Sequence, residues 1–106
     1  MAQESTRDKL GNEIYLTDER WAHIVETHEE MIFYRNHIFV TLRTGQRRQD
    51  AFDPSKYKYT KRFTDLTEGF THIVVVVKLT QREDAQGTER SNNFVLTAYQ
   101  VSRRSV

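Results

Sequence analysis

THIVVVVKLT, residues 71–80, is the stretch on which the fold turns. Four consecutive valines among other β-branched residues read as a strand. The unbroken apolar run predicts burial on both faces, and therefore a central place in a sheet. NNFVLTAYQV, residues 92–101, reads as the next strand. The polar QREDAQGTERS between them predicts an antiparallel hairpin with a loose tip. Upstream, RRQDAF and KYKYTKRF read as two further strands, separated by the turn signal Asp53-Pro54-Ser55.

Before Gly45 the period changes. Trp21, Ile24, Val25 and His28 fall at i, i+3, i+4 and i+7, which is one helical stripe. Thr17 precedes it as an N-cap, and Asp18 and Glu19 in the first turn suit the helix dipole. The spacing predicts a helix over residues 18–28. Tyr34, Ile38 and Leu42 recur every four residues and predict a second helix that stops at Gly45. The same stretch is rich in β-branched and aromatic residues, which leaves a strand open as the alternative. Ile14 and Leu16 alternate with polar neighbours, as in a short strand or an extended lead-in. The expected fold is α+β: two N-terminal helices packed on one face of an about four-stranded antiparallel sheet. Residues 1–106 are expected to form one domain, with loose tails at 1–11 and 102–106.

Composition narrows the chemistry. The chain has 106 residues and no cysteine, so disulfides, thiolate metal sites and a cysteine nucleophile are excluded. Lack of cysteine suits a reducing, cytoplasmic setting. No segment approaches the about 18 apolar residues that span a bilayer, so no membrane partner is expected. Net charge is only +1, but it is unevenly spread. Residues 1–30 carry eight acids against three bases, and residues 46–62 carry six bases against two acids. The basic block holds Arg47, Arg48, Lys56, Lys58, Lys61 and Arg62, interleaved with Tyr57 and Tyr59. Cations beside aromatics suit phosphates and unpaired bases. A solvated edge strand guarded by lysines is the structural alternative.

The histidines are the natural acid–base candidates at neutral pH. On one helix His28 lies about 20° from Trp21, on the apolar stripe, while His23 lies about 200° away. The two cannot chelate one metal, which needs i,i+4 spacing. By this geometry His28 reads as a structural histidine at the helix end, and His23 as the one free to react or simply to face water. His37 falls inside the second helical pattern with no evident partner, and His72 opens the valine strand. By alternation Lys56, Lys58, Thr60 and Arg62 share one face of their strand. Val95, Thr97, Tyr99 and Val101 share one face of theirs, which places two hydroxyls side by side. There is no glycine-rich phosphate loop and no G-x-S-x-G, and neither a metal nor an organic cofactor is expected.

LTDERWAHIVETHEEM, the aromatic-basic stretch, IVVVVKL and NNFVLTAY together resemble the phage-type branch of the barnase–EndoU–colicin–RelE (BECR) nuclease superfamily. The resemblance covers residues 14–101. It implies a small metal-independent endoribonuclease, acting as a toxin or effector, in which a ribose 2′-hydroxyl attacks the adjacent phosphorus. It implies RNA as the substrate, and admits an antitoxin protein or a second copy of the chain as partner. His23 and His28 would lie near the cleft, with His23 as base or acid. Lys61 or Arg62 would offset transition-state charge, and Thr97 and Tyr99 would hold the phosphate or leaving group. Arg47, Arg48, Lys56, Tyr57, Lys58 and Tyr59 would bind the strand. A non-catalytic RNA-binding module and a subunit of a protein complex are the competing expectations.

Overall fold

The valine strand is central. In a computed structural model, which describes residues 2–103, it is β5 (His72–Glu83), paired antiparallel with β4 (Lys56–Arg62) on one side and β6 (Glu89–Val101) on the other. Ile73, Val75 and Val77 are fully buried against the helices, and Val74 and Val76 are nearly as buried on the reverse face. Burial on both faces is what the apolar run requires.

The expected architecture needs correction. The sheet has six strands rather than about four, and it is mixed rather than antiparallel. The helices follow two strands instead of opening the chain. β1 (Gln3–Arg7) and β2 (Glu13–Thr17) form a hairpin, and β2 joins β6 in parallel through Ile14↔Asn93 and Tyr15↔Phe94. The order across the sheet is β1-β2-β6-β5-β4-β3, with β3 (Gln46–Gln49) on the far edge. Residues 3–7, expected in a loose tail, are therefore an edge strand. An edge strand needs no apolar face, and QESTR has none. At the other end, Ser102 and Arg103 lie outside any strand, and the rest of that expected tail is outside the described residues.

The helices form where the stripes predict. α1 (Asp18–Thr27) starts at Thr17, whose Oγ1 accepts the Arg20 N–H at 3.1 Å. A 3₁₀ turn over Glu29–Phe33 follows, then α2 (Arg35–Thr44). Ile24, Met31, Ile38, Phe39 and Leu42 meet Ile14, Leu16, Tyr59, Ile73, Val75, Val77, Val95 and Ala98 in one core. Each such aliphatic side chain adds about 1.5–3 kcal/mol when buried. α2 stops at Gly45 for a different reason from the one expected. Gly45 is extended (φ −75°), not left-handed. Its missing side chain matters because a Cβ would sit 2.6 Å from the Thr41 carbonyl oxygen and 2.8 Å from that of Thr60.

Two further details position the site. β6 carries a bulge opposite Val76/Val77, so Val95 faces the helices together with Ala98 and Gln100, while Thr97, Tyr99 and Val101 face away. The expected grouping of Val95 with Thr97 thus fails, because one extra residue resets the alternation. The stretch 81–91 is mostly strand, closed by a short turn whose Thr88 and Gln86 amides donate to Asp84. The sheet is also strongly curved. Tyr59 on β4 donates to Asp8 just after β1 at 2.6 Å, although those strands stand four places apart.

Candidate functional site

β5 divides the molecule into a helix-covered face and an open face. Across the open face the register sets Tyr99, Val74, Thr60 and Gln46 in one row, and Thr97, Val76, Lys58 and Arg48 in the next. The two valines form a buried floor between hydroxyls on β6 and the Lys58–Thr60 pair on β4. The two walls are two strand spacings, about 10 Å, apart. Beside them Arg62 lies opposite His72, and Lys56 opposite Lys78.

β2 pairs with β6 only at Asn93 and Phe94, so the outer edge of β6 beyond them is free to meet the end of α1. There His28, whose N–H closes α1 on the Ile24 carbonyl at 2.7 Å, lays its ring 5.6 Å from that of Tyr99. The two histidines of α1 thus separate as the helical angle predicts. His28 reaches the open face. His23 is exposed on α1, away from the core.

The basic block divides in the same way. Lys58, exposed, and Thr60, half-buried, belong to the open face. Tyr57, Tyr59 and Lys61 point to the helix side. Tyr59 is fully buried and cannot stack on a base, while Tyr57 packs on the core beneath the Arg47 guanidinium, 4.5 Å from its ring. The Lys61 ammonium lies 6.0 Å from the Phe63 ring. Lys61 and Arg62, expected as interchangeable, therefore serve opposite faces, because side chains alternate along a strand.

The other histidines have structural surroundings. His72 is buried, with Nδ1 2.7 Å from the Thr71 hydroxyl. Burial, aided by the charges of Arg103 and Arg62, holds its pKa below the usual imidazole value. His37, without an evident partner in the sequence, pairs through Nε2 with Asp65 at 2.9 Å and packs on Tyr34 and Phe63. Among the described residues no three His, Asp or Glu side chains converge as a metal site requires.

A second feature escaped the sequence. Where the curved sheet brings the β1–β2 turn opposite β3 and β4, a cleft of about 710 Å³ opens, lined by Lys9, Arg47, Arg48, Lys58 and Arg103 among others. Its one acid is Asp8. Burial pushes the Asp8 carboxyl up, but hydrogen bonds from Tyr59, from the Asn12 side chain and amide, and from the Leu10 amide outweigh it and hold it below the usual carboxylate range. The only hint in the sequence was DKLGN, a turn pattern whose Gly11 has φ +86°.

Neither family models, curated proteins nor solved structures match this chain. What it does must therefore be read from the site itself.

Proposed function

We propose that the protein is a metal-independent endoribonuclease-like enzyme that binds RNA along the open face of its sheet. One observation carries the reading: His28 lies on Tyr99 at the edge of a groove whose walls present the Thr97 hydroxyl on one side and Lys58 and Thr60 on the other. A general acid–base group, hydroxyl donors and a cation on one surface are what 2′-hydroxyl attack on phosphorus needs. The O2′–P bond forms as the P–O5′ bond breaks, giving a 2′,3′-cyclic phosphate. His28 takes the 2′-hydroxyl proton, and the leaving 5′-oxygen is protonated from the Tyr99 hydroxyl or water. Lys58 and Arg62 offset the phosphate charge, and Thr97 donates to a non-bridging oxygen. The likeness of the sequence to BECR nucleases supports the same reaction class. His28 here takes the role that the resemblance implies for His23.

The test is cleavage of a fluorescent RNA in excess chelator. The wild type should cut, His28→Ala and His28→Gln should lose at least about 100-fold in rate, and His23→Ala should stay within about twofold. Intact RNA with the wild type, or equal rates for the His28 and His23 variants, would refute the proposal. A second reading, RNA binding without cleavage, is favoured by one fact. The cleft beside β3 and β4 is lined by five cations and no histidine. Tight binding of RNA that stays intact would select it.

A further inference from the structure

The cleft beside β3 and β4 shares Lys58 and Thr60 with the groove proposed above, but its other cations have no part in that chemistry. Lys9, Arg47, Arg48, Lys58 and Arg103 line it, and among the described residues none of the five is ion-paired. The single acid, Asp8, has its carboxylate occupied by four hydrogen bonds from its neighbours. A cavity with five cations and a satisfied acid favours a polyanion. Leu10, 69% exposed on the lining, adds an apolar surface against which a base or ribose can rest. The cations come from three separate parts of the chain, the β1–β2 turn, the β3–β4 hairpin and the segment after β6, and only the curvature of the sheet brings them together.

The cleft also joins the open-face groove. Lys58 and Thr60 line the cleft and at the same time form the β4 wall of the groove. From the cleft edge at β3 to Tyr99 on β6 is three strand spacings, about 14 Å, which an extended single strand covers in a few nucleotides. We infer that this cleft anchors a phosphodiester of single-stranded RNA a few nucleotides away from His28 and Tyr99, with Lys9 and Arg103 as phosphate ligands. The inference rests on the open face being an RNA surface. It makes the preferred substrate a strand long enough to span both places, rather than a dinucleotide.

The experiment is fluorescence anisotropy with a labelled 2′-O-methyl octauridylate, which cannot be cleaved, titrated over a range of salt. Lys9→Gln/Arg103→Gln should bind about tenfold more weakly at low salt, and its log–log salt slope should be smaller by about 1.4, the value for two lost phosphate contacts on a single strand. Lys9→Arg/Arg103→Lys should restore both, and thermal midpoints should match the wild type because both side chains are exposed. Arg82→Gln, on the far part of β5, should change nothing. Inorganic pyrophosphate should compete only weakly. Unchanged affinity and slope in the double variant would overturn the inference, as would an equal loss in Arg82→Gln or pyrophosphate binding as tight as that of the octamer. Because the probe cannot be cut, a cation-dependent loss of binding alongside inactive wild-type protein would keep the anchor and remove only the nuclease. Absence of any RNA binding would remove both.

Discussion

The two faces of β5 follow one alternating sequence and end in opposite chemistry. Ile73, Val75 and Val77 meet the helices with Ala98 and Val95 beside them, in a core that also holds Tyr59, whose hydroxyl donates to Asp8. Val74 and Val76, on the reverse face, are nearly as buried but stand between Lys58, Thr60, Thr97 and Tyr99. The first face holds the fold together. The second keeps hydrophobic material as a floor and sets polar groups around it. Burial alone therefore does not separate structure from function here. The neighbours across the strands do.

Substitutions can break this comparison. The largest expected effect on stability is on the covered face: Ile73→Ala should cost about 2–5 kcal/mol by transfer and cavity terms together. Val76→Ala, on the floor of the groove, should cost less, since its surroundings can collapse from the solvent side. Urea denaturation of both checks the order, and equal losses would show that the faces are not distinct.

Next in size is the Asp8–Tyr59 bond. Tyr59→Phe leaves a carboxylate oxygen without its shortest donor and should cost about 1–3 kcal/mol. Urea denaturation midpoints at pH 7 test this, and a midpoint equal to that of the wild type would show the bond to be dispensable.

The smallest effect is a pH dependence. Asp8 has a folded pKa below its ordinary 3.8, so it adds stability above that value and loses it as pH falls. Asp53, held low by Lys78 at 2.8 Å and by Ser55, adds in the same direction. Asp8→Asn should be less stable than the wild type at pH 7, with the gap narrowing below about pH 4. A gap that is constant with pH would mean that the Asp8 charge is irrelevant.

The valine run identified the central strand, and the helical stripes located the start of α1 at Asp18 and the end of α2 before Gly45. β1 could not be read, because an edge strand of five polar residues carries no alternation, and the two-pair parallel contact between β2 and β6 is a long-range event. The bulge opposite Val76/Val77 left no mark in FVLTAY, where apolar and polar residues fit either register. The helical angle between His23 and His28 was readable, but which of them reaches the open face depended on β2 leaving the edge of β6 open after Phe94. The cleft was least legible. Lys9, Arg48 and Arg103 are far apart in sequence and meet only because the sheet curves.

NMR titration of the protein with a non-cleavable single-stranded RNA asks whether the open face is where RNA binds. The account predicts perturbations concentrated at His28, Lys58, Thr60, Thr97 and Tyr99, continuing to Arg48 and Lys9, with Ile24, Ile38 and Ala98 unmoved. Perturbations centred on the helix-covered side, or none at millimolar RNA, would contradict it.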